Sequence, residues 1–258
     1  MTAPLINAAQ LAAAEALAAY LAGGGDAPTE IFAKLSFEDG LAIQCEMQRR
    51  AVAAGAIHVG WKVGLTSDRA RIAVGVDERP FGHLNRVLAS PAVIPSSEIR
   101  HASIEPELCF VIGDRIAGHD VDPAAVPARI AKVCAGFEIN EARVTVGGCI
   151  ALLVADNLTN WAAVQGSGAL VPPATELDRC IVTVTCDGEE RLACTAGDEV
   201  DNPYLSIACL AATLHRYGLA LEPGQRVITG AYARFRVEAG QRWQARYAGI
   251  GDVEAVIA

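Results

Sequence analysis

The sequence predicts an α+β fold, in which a helical N-terminal lobe precedes a body built mainly from β-strands. Before residue 60 apolar residues recur at helical spacing. After it, short apolar runs are broken by Gly, Pro and Asp, as in strands joined by turns. The length of 258 residues suits one large core with a small helical lobe. The predicted domains are therefore a helical lobe over residues 1–75 and a β body over residues 76–258.

The predicted helices combine apolar residues at every third or fourth position with recognisable ends. Residues 10–21 stop at three consecutive glycines, and residues 37–54 begin after Ser36, a good N-cap. Residues 203–217 follow an asparagine, begin with a proline and precede a glycine, which are the preferred start and stop signals. A further helix is predicted from an Asp-Pro pair near residue 122 toward residue 133.

The predicted strands are short apolar runs bounded by turn-forming residues. One of them precedes an Asp-Gly pair, which is typical of a tight turn. These strands cover residues 104–112, 150–155, 181–185, 226–229, 242–247 and 253–257.

Composition limits the classes of function. The net charge of −9 argues against nucleic acid or another polyanion as a partner. The apolar stretch at residues 8–22 contains Gln10 and Glu15, so no membrane span is predicted. No basic segment precedes it, as one would in a signal peptide, and a cytoplasmic location is expected. The eight cysteines form no Cys-x-x-Cys pair and are expected to be buried free thiols.

Glu105 and Glu107 lie two positions apart inside an apolar strand. Successive side chains of a strand point to opposite faces, so the two carboxylates share one face, about 7 Å apart. If that face is buried, an added proton or a hard divalent cation must offset their repulsion. If it faces water, the pair is an ordinary solvated surface. The pattern alone leaves both interpretations open.

Glu138 is a third acid, placed between two apolar residues. Three carboxylates of this kind suit magnesium or manganese, but Glu138 is alternatively a salt-bridge partner of Arg143 or Lys132. Lys62 follows a tryptophan and lies between two glycines, where it is sheltered enough to bind a substrate carboxylate. The alternative interpretation is that Lys62, like most lysines, lies at the surface with its side chain extended and its charge in water.

Taken together, these residues resemble the fumarylacetoacetate hydrolase-like superfamily, in particular its branch of 2-oxopent-4-enoate hydratases and 4-oxalocrotonate decarboxylases. The matching segments follow the family order from residue 60 onward. They are Gly-Trp-Lys-Val-Gly-Leu-Thr-Ser at 60–67, Phe-Gly at 81–82, Ile-Glu-Pro-Glu-Leu at 104–108, Phe-Glu-Ile-Asn at 137–140, Val-Ala-Asp-Asn at 154–157, Ile-Thr-Gly at 228–230 and Gly-Ile-Gly-Asp-Val at 249–253.

The resemblance implies a mixed β-roll or barrel-like body, a homo-oligomer and a small 2-oxo acid as the substrate. It also implies a divalent cation, Mg²⁺ or Mn²⁺, bound by the three acids in the β body. The implied site residues are Glu105, Glu107 and Glu138 for the metal, Lys62 and Thr159 for catalysis, and Lys62, Leu65, Asp156 and Asn157 for the substrate.

The implied function is that of a lyase in aromatic-compound catabolism, acting on a 2-oxo or 2-hydroxy-dienoic acid through an enolate. A hydratase, which adds water at C4, ranks first, and a 4-oxalocrotonate-type decarboxylase, which releases carbon dioxide, ranks second. An acylpyruvate-type C–C hydrolase ranks lower because no His–Glu pair stands out, and His83 is interpreted as structural or solvent-facing. A non-catalytic binding protein is the alternative from another class.

Three departures from the family pattern concern the substrate pocket. Pro80 stands where hydratases of this branch carry an acid, and proline cannot transfer protons. Leu158 and Thr159 replace a small residue and a serine, and Ala231 replaces a serine of many relatives. The sequence therefore predicts an altered pocket beside an intact metal site.

Overall fold

A computed structural model describes residues 6–144 and 148–258 of the chain. Its α-helices are α1 (Ala8–Leu21), α2 (Thr29–Phe32), α3 (Phe37–Ala53), α4 (Asp68–Val74), α5 (Ile150–Ala155), α6 (Ala174–Asp178), α7 (Ala196–Glu199) and α8 (Pro203–Arg216). Its strands are β1 (Gly60–Val63), β2 (Phe81–Leu84), β3 (Val87–Ala89), β4 (Ala92–Ile94), β5 (Ala102–Ile112), β6 (Ile130–Glu141), β7 (Asn160–Ala169), β8 (Ile181–Cys186), β9 (Glu189–Thr195), β10 (Arg226–Thr229), β11 (Phe235–Arg236), β12 (Arg242–Tyr247) and β13 (Gly251–Ile257). The predicted α+β class is confirmed.

The strands form two mixed sheets. The larger has the order β2-β1-β10-β5-β6-β7-β3, with β11 also paired to β5. The smaller has the order β4-β13-β12-β8-β9. Most neighbours are antiparallel, but β1 runs parallel to β10, β3 to β7 and β4 to β13.

The larger sheet is strongly curled. β1 and β6 are separated by β10 and β5, a spacing of about 14 Å in a flat sheet. Nevertheless, Lys62 Nζ on β1 lies 2.5 Å from Glu138 Oε1 on β6. β2 is one edge strand of the sheet, yet it contacts β7, which is next to the other edge. The sheet therefore bends into a half-barrel, as the barrel-like prediction anticipated. The curvature encloses the face that carries the acids.

The main core lies between the two sheets and beneath α8. β13 packs against β6 and β7, and Tyr247 of β12 donates a hydrogen bond to the Gly136 carbonyl at 3.1 Å. α8 contacts β1 and β10, and its Tyr204 meets Phe110 of β5 edge to face. Both faces of β5 are buried, which explains why its sequence is an almost continuous apolar run.

The N-terminal helices share a smaller core with α5. Leu17, Phe32 and Ile43 pack there against Leu152 of α5, so a helix from the body completes the core of the lobe. β1, which the division at residue 75 assigns to the lobe, is an inner strand of the larger sheet. The division into residues 1–75 and 76–258 stays a prediction. No helix within residues 6–144 and 148–258 combines the length and apolar character that crossing a membrane requires.

Several predicted helices and strands are observed. α1 and α3 begin with capping boxes at Asn7 and Ser36, and α8 begins at the Asn-Pro pair. The strands predicted at 104–112, 181–185, 226–229, 242–247 and 253–257 lie within β5, β8, β10, β12 and β13. All eight cysteines are free thiols, four of them buried and four half-buried.

Two predicted elements are wrong. The strand predicted at residues 150–155 is helix α5, because a six-residue apolar run suits either state and its burial against α3 decides between them. The helix predicted at residues 122–133 is replaced by two 3₁₀ turns, Pro123–Ala125 and Pro127–Arg129, followed by β6. Pro127 has no N–H for an α-helical hydrogen bond and would clash with the preceding turn.

A histidine pair, buried His83 and half-buried His58, links β2 to the segment before β1. His83 Nδ1 lies 3.3 Å from His58 Nε2, and within the described chain His83 Nε2 has no hydrogen-bond partner. Burial lowers the pKa of His83 well below 6.5, and His58 adds to this. Below about pH 6.5 the imidazole of His83 therefore binds a proton in the unfolded chain but not in the folded chain, so acidification should destabilise the fold.

Replacing His83 by Phe is expected to flatten this acid-side loss of stability. The difference should reach at most about 1.4 kcal/mol for each pH unit between the unfolded and folded pKa values. Urea unfolding at pH 7, 6 and 5 measures it, with exposed His215→Asn as the control. An unchanged pH slope in His83→Phe would show that other groups cause the loss.

Candidate metal centre and active site

Strand register brings the three acids together. β5 and β6 pair antiparallel with Glu105 directly opposite Glu138, and Glu107 lies opposite Gly136. Directly opposed residues share a face, and so do residues two apart, so the three side chains project to the same side. One carboxylate oxygen from each lies within 4.8 Å of the others. Gly136 adds no side chain to the cluster.

The cluster is buried, so the interpretation of a solvated strand face is excluded. The exposed fractions of Glu105, Glu107 and Glu138 are 6%, 3% and 0%. Burial raises the pKa of Glu107 well above its usual range, and the charges of Glu138 and Glu105 raise it further. Burial also raises the pKa of Glu138, against the opposing effect of Lys62. These carboxylates are costly to keep ionised without a further positive charge.

The donor set fits a hard divalent cation. The buried Oε2 of Glu107 has no hydrogen-bond partner among the described residues, and all three groups supply oxygen. Mg²⁺ and similar ions prefer carboxylate oxygens and keep further positions for water or substrate. Glu105, Glu107 and Glu138 are therefore able to hold such an ion.

Lys62 is the buried cation of the site. Its Nζ donates to Glu138 Oε1 at 2.5 Å, to Glu138 Oε2 at 2.7 Å and to the Leu158 carbonyl at 3.2 Å. A Cβ on Gly82 of the neighbouring strand would lie only 2.6 Å from Lys62 Cγ, so glycine leaves room for the lysine stem. The salt-bridge partner of Glu138 is Lys62, and the alternatives Arg143 and Lys132 are wrong.

Lys62 and the acids open onto a cavity of about 230 Å³. Leu65, Leu158 and Thr159 also line it, each with a left-handed backbone, with φ of 53°, 52° and 64°. Such conformations cost non-glycine residues about 1–3 kcal/mol and persist where surrounding contacts impose them. Arg71 Nη1 supplies one such contact by donating to the Leu65 carbonyl at 2.8 Å. The wall is therefore held in a defined shape.

Thr159 presents a hydroxyl to this cavity. Its Oγ1 donates to Asn140 Oδ1 at 2.9 Å, so its oxygen keeps acceptor capacity. Asn160 Nδ2 donates to Glu138 Oε1 at 2.7 Å and helps to orient that carboxylate. The predicted residues Lys62, Leu65 and Thr159 thus line one cavity with the three acids.

Asp156 and Asn157 lie outside that cavity and line a second one, near α3. Asp156 Oδ1 accepts from Arg143 Nε at 3.0 Å, and burial raises the Asp156 pKa to about 6 despite this partner. Asn157 accepts from the His83 N–H at 2.7 Å and donates to the His83 carbonyl at 2.9 Å. Asn157 thereby ties the segment before Leu158 to β2.

Two charged residues of the cavity were missed by sequence reasoning. Arg234 precedes β11 and forms an ion pair with Glu105, and Glu199 ends α7. Neither lies in a matched family segment, and no local pattern distinguishes them from surface charges. Of the residues that depart from the family pattern, Ala231 lines the cavity with a methyl group. Pro80 is not among the residues that line it and packs against Gly64.

Comparison with known proteins places the chain in a family. No family model matches it. Over 190 residues the chain is 30% identical to a 2-hydroxypent-2,4-dienoate hydratase of Pseudomonas putida, a match covering 72% of this chain and 86% of the relative. The chain belongs to the fumarylacetoacetate hydrolase-like superfamily. Within that superfamily it falls in the predicted hydratase and decarboxylase branch.

Solved structures agree with the superfamily assignment. The 4-oxalocrotonate decarboxylase from Pseudomonas putida G7 superposes with a TM-score of 0.88 and 26% identity over 100% of both chains. It is solved with magnesium and adipate, and also with calcium and acetate. A fumarylacetoacetate hydrolase family protein from Yersinia pestis CO92 shares the fold, with a TM-score of 0.62 and 14% identity over 78% of this chain and 94% of the relative.

The relatives bear on the predicted function. A hydratase and a decarboxylase are both lyases, so the prediction of a metal-dependent lyase from this branch of the superfamily is confirmed, with hydratase kept first. The predicted divalent cation is consistent with the magnesium and calcium in the structures of the decarboxylase. The choice of Mg²⁺ or Mn²⁺ stays a prediction. The hydrolase alternative gains no support, because His83 pairs with His58 and does not line the cavity of the acids.

Proposed function

We propose that this protein is a divalent-metal-dependent hydratase of a 2-hydroxy-dienoic acid, with Glu105, Glu107 and Glu138 as the metal ligands. The observation that carries the proposal is the buried cluster of three carboxylate oxygens within 4.8 Å of one another, at the wall of a cavity. When bound there, a cation such as Mg²⁺ supplies Lewis-acid stabilisation of the negative charge that develops on a 2-oxo acid as it enolises.

The reaction requires two proton movements and one addition of water. Ketonisation transfers the proton of the 2-hydroxyl group to C5 of 2-hydroxypenta-2,4-dienoate and leaves a C3–C4 double bond. Hydration then adds the hydroxyl of water to C4 and a proton to C3, which yields a 4-hydroxy-2-oxo acid. The protein must therefore orient the acid, exclude other nucleophiles and move protons.

Named side chains suit these tasks. Lys62 offsets the charge of Glu138 inside the wall, and Thr159 offers an acceptor oxygen for a water molecule. Leu65 and Leu158 provide the apolar surface for the diene carbons. Glu199 is the one carboxylate outside the metal set among the described residues that line the cavity, and its side chain is 33% exposed. We assign proton transfer to Glu199, because a partly solvated carboxylate exchanges protons readily with water.

Glu199→Gln is expected to lower kcat by about 100-fold or more, since Gln has the shape of Glu but does not transfer protons. Magnesium affinity should stay within a few-fold of the native value because Glu199 lies outside the acid cluster. Loss of diene absorbance measures kcat, and calorimetric titration measures the affinity. Glu190→Gln on the exposed β9 is the matched control. A kcat within a few-fold of native in Glu199→Gln would remove Glu199 from the mechanism.

The function itself is tested with purified protein and Mg²⁺ or Mn²⁺. 2-Hydroxypenta-2,4-dienoate should lose its ultraviolet absorbance in a metal-dependent reaction without release of carbon dioxide. Release of carbon dioxide from 2-oxohex-3-enedioate would instead identify the decarboxylase. Metal binding without turnover of either acid would contradict the proposal.

We also propose that the chain forms a homo-oligomer, as the family resemblance implies. Light scattering during size-exclusion chromatography should give a mass of two or more times 27.0 kDa. A monomeric mass would reject this part of the proposal.

A further inference from the structure

The cavity contains two cations with different capacity for a ligand. The Nζ of Lys62 carries three N–H donors, and it makes three contacts, two with Glu138 and one with the Leu158 carbonyl. Lys62 is also only 5% exposed. It therefore has no donor left for a substrate carboxylate, the contact that the sequence resemblance implies for it.

Arg234 has unused hydrogen-bond donors. Its Nε donates to Glu105 Oε1, whereas its two terminal nitrogens make no hydrogen bond with any residue in the described chain. A guanidinium carries five N–H groups in one plane, so four remain. The Arg234 side chain is 57% exposed and lines the same cavity as the acids. Among the described lining residues, it is the one cation with unused donors.

The backbone on both sides of Arg234 is anchored. The Tyr232 N–H donates to the Pro106 carbonyl at 3.1 Å, between the two acids of β5, and the Tyr232 ring is buried against Tyr247. On the other side Phe235 pairs with Ile104 of β5. The strand that supplies Glu105 and Glu107 thus also holds the backbone beside Arg234, and the ion pair with Glu105 places the guanidinium next to the acid cluster.

We propose that Arg234 binds the C1 carboxylate of the 2-oxo acid. This inference rests on the proposed function, in which a 2-oxo acid enolises next to a cation that Glu105, Glu107 and Glu138 would hold. Arg234 already contacts Glu105, so its free N–H groups lie within the width of one guanidinium from the cluster. A planar guanidinium matches a carboxylate with two parallel hydrogen bonds, whereas neighbouring Ala231 offers none.

Binding of a non-reacting probe tests this role without turnover. 2-Oxobutyrate has the carboxylate and oxo group but no carbon–carbon double bond, and 2,3-pentanedione has two oxo groups but no carboxylate. In the presence of saturating Mg²⁺, Arg234→Gln is expected to weaken 2-oxobutyrate binding by about 10- to 100-fold, the usual effect of a lost charge-assisted pair. Binding of 2,3-pentanedione should change less than threefold, roughly within the spread expected for an uncharged contact.

The controls separate this role from others. Arg236→Gln, two residues along on β11 and outside the cavity, should bind 2-oxobutyrate as the native protein does. Arg234→Lys should recover part of the affinity, because it keeps the charge and loses the paired geometry. Magnesium affinity of Arg234→Gln should be equal to or tighter than native, since Arg234 no longer competes for Glu105.

Two outcomes would overturn the inference alone. One is native affinity for 2-oxobutyrate in Arg234→Gln, and the other is loss of its magnesium binding, which would make Arg234 a support of the metal site. Failure of the proposed function is a separate result, in which the native protein binds Mg²⁺ but turns over neither 2-hydroxypenta-2,4-dienoate nor 2-oxohex-3-enedioate.

Discussion

Glu107→Gln is expected to reduce divalent-cation affinity by on the order of 100-fold or more. Loss of a partner outside the first coordination shell already costs 10- to 100-fold, and Glu107 is proposed to be a direct ligand. Its Oε2 has no hydrogen-bond partner among the described residues, so the change breaks no hydrogen bond at that atom. Calorimetric titration with Mg²⁺ measures the affinity of native and variant proteins.

The same substitution should raise the stability of the metal-free protein. Glu107 is buried beside Glu105 and Glu138, and a neutral amide removes both the like-charge repulsion and the cost of burying an ionised group. The native protein should gain thermal stability with Mg²⁺, whereas the variant should gain little. Opposite signs in the two conditions separate metal ligation from a general defect in folding.

Glu141→Gln is the matched control for Glu107→Gln. Glu141 is also a buried glutamate and ends β6, but it accepts from the Arg100 N–H and lies outside the acid cluster. It should keep native metal affinity. Native affinity in Glu107→Gln as well would mean that the proposed metal centre is wrong.

Lys62→Met is expected to destabilise the metal-free protein by about 3–5 kcal/mol, because it leaves Glu138 buried without its cation. Methionine fills similar space along the stem over Gly82, so packing is largely kept. Magnesium should bind at least as tightly as in the native protein, since the site becomes more negative. Thermal unfolding with and without Mg²⁺ measures both effects.

A second substitution isolates the charge pair. Lys62→Met combined with Glu138→Gln should recover much of the lost stability, because neither charge then lies buried alone. Lys132→Met, at an exposed position of β6, should have little effect. If Lys62→Met were as stable as native without metal, the pair with Glu138 would contribute nothing to the fold.

Most of the helices and strands predicted from local signals are observed, eight of the ten. α3 and α8 have capping residues and terminal signals that act over three or four positions, so their limits are visible in the chain itself. Both errors concern the local signals that start or end an element: one segment lacks such a signal, and in the other a signal was overlooked. The run at 150–155 contains no punctuation that selects a strand or a helix, whereas Pro127 was a stop signal that the predicted helix ran through.

The candidate site was only partly visible in the sequence. The three acids and Lys62 stand out because charge is unusual inside apolar segments, and the ordered family segments single out the same residues. Arg234 and Glu199 had no such signal, because each lies near another charged residue, Arg236 and Asp198, as is ordinary on a protein surface. Asp156 and Asn157 lie in a matched segment, yet the chain turns after them and presents Leu158 and Thr159 to the cavity instead.

The sequence by itself determined the α+β class, the caps of the main helices and the presence of Glu105, Glu107, Glu138 and Lys62 in apolar segments. Only the tertiary structure decided that these residues meet. The antiparallel register sets Glu105 opposite Glu138, and the curl of the sheet brings Lys62 across two intervening strands. Periodicity and capping depend on near neighbours in the chain, whereas register and curvature depend on pairing between segments far apart in it.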